Sequence, residues 1–211
     1  MTPKHHTCDD AAGVPAPGGL EIFTTRLMLH GLLSGSYRRF VDGMGLRGDE
    51  HVLDFGAGSG AAARHLAKRL QAGGHLTCVD ISPAWQDVAR KTLRAYTNVD
   101  FALGDVRELE LPAESYDVVV MHWMFHDVPA ADRRPVLAAL VGALRPGGKL
   151  YTREPTRKEE GIEVTALRNL LGGAGLSELR SAKGSSFWMG PHYAGVWEKR
   201  AGRGTQAGGA G

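Results

Sequence analysis

A glycine-rich stretch in the first half of the chain carries the residues best suited to chemistry. Gly56 and Gly58 follow the apolar run 51–55, and a helix-like stretch, 59–72, comes directly after them. Glycine lets a backbone turn tightly and approach a ligand closely. The free N–H groups and partial positive charge of a helix N-terminus suit a carboxylate or a phosphate. The spacing therefore predicts a strand, a turn and a helix that together bind a small charged molecule.

Two acidic residues bear on which ligand this turn binds. The glycines, with Ala61, also satisfy the dinucleotide fingerprint G-x-G-x-x-G/A, so they leave a nucleotide-dependent oxidoreductase open. Asp54 lies two residues before the first glycine, where a carboxylate repels a pyrophosphate but suits an ammonium or sulfonium group. Asp80 ends the next apolar run, where an acid can accept hydrogen bonds from both hydroxyls of a ribose. Asp80 suits either ligand class, so the distinction depends on Asp54 and on the motifs downstream.

Strand-like and helix-like stretches alternate along the chain, which is typical of an α/β domain. Apolar runs without polar alternation indicate parallel strands that are covered on both faces. The alternation implies right-handed crossovers and a doubly wound sheet. The last two strands have no helix between them, so we expect a hairpin with one strand antiparallel at the sheet edge. The predicted strands are 51–55, 75–81, 99–103, 116–121, 149–153, 177–183 and 192–199.

Helix signals separate these strands. Ser82 followed by Pro83 predicts a helix start, because serine caps free N–H groups and proline fits the first turn. Asp132 is predicted to cap another helix in the same way. The other helical stretches are 59–72, about 131–144, about 160–172 and the amphipathic residues 20–45.

Composition and charge argue against several other classes of protein. With 43% hydrophobic and 23% charged residues over 211 positions, the chain has the profile of one ordinary soluble domain. The net charge is only +2, and no Lys/Arg-rich run is present, which argues against nucleic acid as a partner. No apolar stretch approaches the ~18 residues of a membrane span, so no membrane partner is expected.

The composition of the chain ends indicates the bounds of the domain, and the cysteines indicate the redox compartment. Residues 1–19 and 201–211 are rich in Pro, Gly or polar residues and are predicted to be a disordered leader and tail, which leaves 20–200 as the domain. The chain has two cysteines, Cys8 in the leader and Cys78 in an apolar run. They do not indicate a disulfide framework, so a reducing, cytoplasmic setting is expected.

Five ordered motifs are more specific than the glycine turn alone. They are VLDFGAGSG at 52–60, CVDISP at 78–83, FALGDV at 101–106, YDVVVMHWMFHDVP at 116–129 and LRPGGKLY at 144–151. Over about residues 45–155 their order resembles the class I methyltransferases that depend on S-adenosyl-L-methionine (SAM). The resemblance implies SAM as cofactor. It also implies a Rossmann-like, seven-stranded, mostly parallel sheet in the order 3-2-1-4-5-7-6, with strand 7 antiparallel.

The resemblance assigns the methionine end of SAM to the first motif. The backbone at Gly56, Ala57 and Gly58 would hold that end, with Asp54 close to its cationic groups. His122, just past the fourth strand, would line either the methionine end of SAM or the acceptor.

The adenosine end is assigned to the second and third motifs. Asp80 would hold the ribose, and Ile81 would pack on the adenine. Asp105 would accept a hydrogen bond from the adenine amine, and Val106 would cover the other face of the ring. The alternative for Asp105 is a turn carboxylate. Trp85 is expected to be a core residue of its helix rather than a wall of the adenine pocket.

His126 is the candidate catalytic residue. His126-Asp127 resembles the His-Asp pair of small-molecule O-methyltransferases of the caffeate type, whose histidine deprotonates a hydroxyl. Val128 departs from that pattern, which has tryptophan there. A similar histidine occurs in quinone-biosynthesis C-methyltransferases without an established role in proton transfer. A packing or capping histidine is the main alternative, and a metal site formed by His122, His126 and Asp127 is a lesser one.

The predicted function is methyl transfer from SAM to a small organic acceptor, most simply at oxygen. The alternatives are transfer to carbon or nitrogen, a non-catalytic SAM-binding module that regulates a partner protein, and an RNA or protein methyltransferase. Asp54 disfavours the oxidoreductase. A motif of the Asn-Pro-Pro-Tyr type is missing, which argues against methylation of DNA amino groups. The sequence specifies neither the acceptor nor the oligomeric state, because acceptor pockets vary freely on this fold.

Overall fold

The computed structural model describes residues 18–70, 73–157, 161–186 and 190–201. Most of the predicted leader and tail therefore lies outside the described residues. The helices are α1 (Gly19–Leu27), α2 (Ser34–Asp42), α3 (Ala63–Arg69), α4 (Pro83–Leu93), α5 (Arg133–Ala143) and α6 (Val164–Gly173). The strands are β1 (His51–Phe55), β2 (His75–Asp80), β3 (Val99–Leu103), β4 (Tyr116–His122), β5 (Leu144–Pro155), β6 (Leu176–Ser186) and β7 (Gly190–Lys199). A π-helix (Met28–Leu32) joins α1 to α2, and a 3₁₀ turn (Phe125–Asp127) follows β4.

These strands form one sheet in the order β3-β2-β1-β4-β5-β7-β6. Strands β1 to β5 pair in parallel, whereas β7 runs antiparallel to both of its neighbours, β5 and β6. Order and direction confirm the fold that the family resemblance implies. The hairpin pattern alone placed the antiparallel strand at the sheet edge. That expectation is wrong, because β7 lies inside the sheet and β6 forms the edge.

The glycine turn after β1 is longer than the sequence predicts. The predicted helix 59–72 becomes α3, which begins only at Ala63. Gly58 and Gly60 have φ angles of 52° and 78°, a left-handed conformation that does not fit an α-helix. A Cβ added at Gly60 would also lie 3.4 Å from the backbone of Ala89 on α4. The glycines therefore extend the turn and let it lie against α4.

The two predicted helix caps have different outcomes. Ser82 occupies the N-cap of α4, and its Oγ accepts a hydrogen bond from the N–H of Trp85 at 3.4 Å. Asp132 also occupies an N-cap position, that of α5, but its side chain makes no capping hydrogen bond. Its carboxylate instead accepts from Nη1 of Arg107 at 2.6 Å. The capping role predicted for Asp132 is wrong, because a cation from the β3–β4 connection binds its carboxylate.

Strand β5 extends beyond the predicted 149–153 at both ends. Leu144 already pairs with β4, ahead of an irregularity in the register. At the other end, Glu154 and Pro155 pair with β7. The antiparallel partner therefore lengthens β5 and brings Glu154 into the sheet.

The amphipathic stretch 20–45 folds as two helices of different character. α2 packs on the sheet through Tyr37 and Val41, which are both buried. α1 exposes three large apolar side chains, Leu20, Phe23 and Leu27. The packing helix that the sequence predicts is therefore α2.

Both faces of the sheet are covered, as continuous apolar strands require. One face packs on α5 and α6 through fully buried residues that include Leu137, Leu140 and Leu167. The opposite face packs on α2, α3 and α4. Within the described ranges, none of the helices has the length and apolar character needed to cross a membrane.

Candidate active site

A cavity of about 1050 Å³ lies at the carboxyl ends of β1 to β4. Open α/β sheets bind their ligands outside the carboxyl ends of the strands. Six of the predicted cofactor-binding residues line the cavity, namely Gly56, Gly58, Asp80, Ile81, Asp105 and Val106. Thr25 of α1 and Leu29 of the π-helix line its other side. Loops that are distant in the sequence thus converge on one space.

Three N–H groups of the glycine turn are already bonded to β2. Those of Gly56 and Ala57 donate to the carbonyl of Val79 at 2.9 and 3.1 Å. The N–H of Gly58 donates to Oδ2 of Asp80 at 2.7 Å. Because these donors are used, the turn does not offer them to a phosphate or to the methionine end of a cofactor. Ala57 lies outside the cavity lining and supports the turn through this bond.

Gly56 allows a close approach of the loop that follows β4. Its φ angle is 72°, in the region that favours glycine. A Cβ added there would lie 1.9 Å from Cγ of Met124. Gly56 and Met124 both line the cavity, so the absence of a side chain at Gly56 shapes its wall.

Asp54 lies beneath the cavity as a buried, incompletely bonded carboxylate. Its side chain is 2% exposed, and Oδ2 has no hydrogen-bond partner among the described residues. Burial, together with the negative charge of Asp80, raises the pKa of Asp54 to about 7. A buried carboxylate without a partner is costly, and a cationic group would relieve that cost. This agrees with the preference for a cationic ligand that the sequence indicates.

Asp80 joins the glycine turn to α4. Its Oδ2 accepts from Gly58, and its Oδ1 accepts from the N–H of Ser82 at 2.9 Å. Burial raises the pKa of Asp80, although the backbone hydrogen bonds oppose that rise. Each carboxylate oxygen has two acceptor sites, so capacity remains for two hydroxyl groups from the cavity side.

Asp105 is held by Arg107 in the turn after β3. Nε of Arg107 lies 3.0 Å from both carboxylate oxygens, and Nη2 lies 2.5 Å from Oδ2. The hydrogen bond from Arg107 lowers the pKa of Asp105. These contacts are those of a turn carboxylate, and the role toward an adenine amine stays a prediction. No sequence signal pointed to Arg107, because its partners come together only in the fold.

Trp85 departs from its predicted role. The sequence favours a core residue of α4, whereas the half-buried side chain lines the cavity beside Ile81 and Pro83. The helical spacing correctly predicted the buried face of α4. It did not show that the first turn of this helix, which carries Trp85, faces the cavity.

The loop after β4 is organised around Glu154 of β5. This carboxylate is fully buried and accepts from the backbone N–H groups of Met124, Phe125 and His126 at 3.3, 3.1 and 3.2 Å. Its Oε2 also lies 2.7 Å from Nδ1 of the His126 ring. The sequence paired His126 with Asp127, but Asp127 is 73% exposed and lies 3.4 Å from Nε2. The buried partner of His126 is therefore Glu154, whose only sequence signal is an acid near the end of an apolar strand.

The surroundings of His126 favour its charged form. Burial acts to lower the pKa, but the hydrogen bond and the charge of Glu154 outweigh burial and raise the pKa of His126. The side chain is 14% exposed and lies outside the lining of the cavity, next to Asp127 and Val128, which do line it.

His122 lies behind the cavity wall rather than on it. It is buried, and neither ring nitrogen has a hydrogen-bond partner among the described residues. The rings of Tyr37 and Phe40 lie 4.7 and 4.5 Å from it. Burial, and then the charge of Arg153, lowers the pKa of His122 to about 3, so the ring is neutral. In the described part of the chain, no three His, Cys, Asp or Glu side chains are grouped to hold a metal ion, His122, His126 and Asp127 included.

Trp123 is a wall residue that the sequence did not identify as a ligand contact. Its φ angle is 59°, which is unusual for an aromatic residue and costs of order 1–3 kcal/mol. Its N–H donates to the carbonyl of Arg153 at 2.8 Å, and this bond helps to hold the conformation. The strained backbone accompanies a side chain that lines the cavity.

Comparison with known proteins shows which class of enzyme this chain resembles. Residues 52–148 match a protein family described as a methyltransferase domain. A SAM-dependent methyltransferase from Aquifex aeolicus has the same fold, with a TM-score of 0.71 at 18% identity, over 85% of this chain and 97% of that one. Residues 52–148 are therefore similar to a methyltransferase domain, and the glycine turn and the sheet order agree with the class I SAM-dependent methyltransferases.

Two curated relatives of this chain are also named as methyltransferases. The demethylmenaquinone methyltransferase of Tropheryma whipplei (strain Twist) is 32% identical over 131 residues, which is 62% of this chain and 52% of that protein. The ubiquinone/menaquinone biosynthesis C-methyltransferase of Vibrio campbellii is 28% identical over 135 residues, which is 60% and 51% of the two chains. This chain thus spans about half the length of the curated relatives it matches. The methyltransferase class is supported, and the non-catalytic SAM-binding module is not favoured.

The raised pKa of Asp54 predicts a specific dependence of stability on pH. An unfolded aspartate releases its proton near pH 3.8, whereas folded Asp54 keeps its proton up to about pH 7. Ionisation therefore costs free energy only in the folded state, so the contribution of Asp54 to stability falls between about pH 4 and pH 7. We expect Asp54→Asn to gain stability relative to the wild type across that window. Urea unfolding at a series of pH values measures the difference.

The matched control is Asp87→Asn on the exposed side of α4. Its unfolding free energy should follow the wild type at every pH. Parallel curves for Asp54→Asn and the wild type would contradict a raised pKa at Asp54.

Proposed function

We propose that the protein transfers a methyl group from SAM to an oxygen atom of a small organic acceptor, with His126 as the general base. The proposal depends on one observation, the bond between Nδ1 of His126 and the buried Glu154 carboxylate at 2.7 Å. An ionised carboxylate can only accept, so the neutral ring carries its proton on Nδ1. Nε2, which lies 3.4 Å from the cavity-lining residue Asp127, then carries the lone pair that would remove a proton from an acceptor hydroxyl.

The residues around the cavity fit SAM. Oδ2 of Asp54, which none of the described residues bonds, suits a cationic group, and the remaining acceptor capacity of Asp80 suits the ribose hydroxyls. Ile81, Val106 and Trp85 offer apolar surface for the adenine. Bound SAM supplies a methyl group activated by its sulfonium. The protein then has to hold the acceptor in line and exclude water.

Transfer to carbon is the second candidate, favoured by the relatives. One of them is named as a ubiquinone/menaquinone biosynthesis C-methyltransferase, and the other is named as a demethylmenaquinone methyltransferase. Removal of a proton from a ring hydroxyl also makes the adjacent ring carbons nucleophilic, so the same His126 and Glu154 serve either outcome. Incubation with labelled SAM and a panel of phenols and hydroquinones, followed by NMR of the product, distinguishes an O-methyl from a C-methyl group.

The role of His126 is tested by its removal. We expect His126→Ala to bind S-adenosylhomocysteine normally and to lower turnover about 10²–10⁴-fold, because a positioned base contributes that much. Turnover is measured with the best phenol of the panel. Near-normal turnover in His126→Ala would assign the residue to packing instead.

Asp80 is expected to matter for cofactor binding. Asp80→Ala should weaken SAM binding by about 1–3 kcal/mol, the range for lost hydrogen bonds to polar groups. Calorimetric titration measures this, with Asp87→Ala, an exposed aspartate on α4, as the control. Unchanged affinity in Asp80→Ala, with intact folding by circular dichroism, would remove Asp80 from the cofactor site.

Glu154 is expected to set the protonation of His126. Without its charge, burial dominates, so Glu154→Gln should lower the pKa of His126 below the ordinary 6.5. NMR titration of ¹³C-labelled histidine reports this directly. Since the base acts as the neutral ring, turnover should rise with pH through a lower value in Glu154→Gln than in the wild type. Asp127→Asn, at an exposed position, should shift the pKa far less, and equal shifts in both variants would contradict the assignment.

A further inference from the structure

A second cavity, of about 310 Å³, lies on the α2 side of the sheet, over β5, β7 and β6. It shares no lining residue with the cofactor cavity. Its floor is formed by residues of β5 and β7 that include Tyr151 and Val196, and one wall is the end of α2. This volume is at the lower end of the range for small-molecule sites.

Three arginines from three separate elements line this cavity. Arg39 comes from α2, Arg153 from β5 and Arg180 from β6. Among the described residues that line it, none is an aspartate or a glutamate. Arg180 donates from Nη2 to the carbonyl of Gly43 at 2.8 Å, which directs it toward the end of α2. None of the three forms an ion pair with another described residue, so their charge is uncompensated there.

Arg153 is the most constrained of the three. Its guanidinium lies 4.8 Å from the centre of the Phe40 ring, and its Nη1 donates to Oγ of Ser36 at 3.3 Å. Its Nε is buried without a partner among the described residues. Aromatic stacking and the serine hold the group in place but supply no negative charge.

Among the described residues, Arg153 has no anionic partner that would stabilise its charge. Burial lowers its pKa, Tyr37 opposes this, and the positive charge of Arg39 adds to it. Burial, and then the charge of Asp54, raises the pKa of Tyr37 to about 12, so its phenol is neutral near pH 7. Burying a cation without an anionic partner costs free energy, and a bound anion would lower that cost.

We propose that this cavity, the arginine groove of Arg39, Arg153 and Arg180, binds the anionic group of a small molecule, a phosphate or a carboxylate. Planar guanidinium groups match the oxygens of either group by paired hydrogen bonds. The cavity is larger than an inorganic phosphate, so it has room for part of an organic ligand as well. The site is separate from the cofactor cavity, and its assignment does not depend on the reaction proposed above.

The test uses anions alone, on the full chain, without an acceptor. Inorganic phosphate probes a free anion, phenyl phosphate probes a phosphate carried on an organic group, and benzoate probes a carboxylate. Binding is measured by calorimetry and by the thermal midpoint at constant ionic strength. We expect saturable binding of at least one probe, unchanged when S-adenosylhomocysteine is also present. Stronger binding of phenyl phosphate or benzoate than of inorganic phosphate identifies an organic ligand of that class, whereas the reverse identifies a free anion.

Charge-removing variants locate the binding. Arg39→Gln and Arg180→Gln change exposed arginines, so both variants should fold, and each should weaken the bound probe about tenfold, as loss of a charged hydrogen bond does. Arg153→Gln should weaken it at least as much. The control is Arg134→Gln on α5, an exposed arginine outside the groove, which should bind like the wild type.

Three results would overturn the proposal. They are the absence of saturable binding for every probe, equal weakening in Arg134→Gln and in the groove variants, and competition between the probe and S-adenosylhomocysteine. The last result would place the anion in the cofactor cavity. Because no readout involves turnover, failure here would leave the methyltransferase proposal untouched, and the reverse also holds.

Discussion

The shape of the candidate site depends on the way in which the end of β2 holds the glycine turn. Three consecutive N–H groups, from Gly56 to Gly58, bond to the carbonyl of Val79 and the carboxylate of Asp80. A turn without these bonds would have free donors and a different path. With them, the turn places two left-handed glycines against the cavity, and Met124 packs against one of them. The same contacts occupy donors that a pyrophosphate or the methionine end of SAM would otherwise take.

Buried carboxylates organise the site in three different ways. Asp80 is saturated on one side by backbone donors and has capacity for a ligand on the other. Asp54 has an oxygen with no hydrogen-bond partner in the described part of the chain, and burial raises its pKa to about 7. Glu154 is satisfied by three backbone donors and the ring of His126. The hydrogen-bond partners of each carboxylate, more than its depth, determine whether it is a structural acceptor, a cation site or the anchor of a base.

Much of the fold could be predicted from local pattern. β3 has the predicted bounds, the Ser82 cap begins α4, and both faces of the sheet are covered. The failures share one cause, which is that distant partners override local preference. Arg107 binds the carboxylate of Asp132, which therefore does not cap its helix. Pairing with β7 lengthens β5. The glycine turn packs on α4, so α3 begins later in the chain than predicted. In the candidate site, the residues on the glycine turn and at the ends of β2 and β3 were predictable, because glycines and strand-end acids are visible as types and spacings.

The sequence by itself determined the order of strands and helices, the glycine turn and the acids that follow the parallel strands. Those features follow from the intrinsic behaviour of each residue and its near neighbours. Only the tertiary structure decided that His126 pairs with Glu154 instead of the adjacent Asp127, that His122 is enclosed by Tyr37 and Phe40, and that three arginines share one groove. Each of these depends on which side chains the sheet brings together across long separations in the chain, and burial at that point then sets the charge that a side chain can carry.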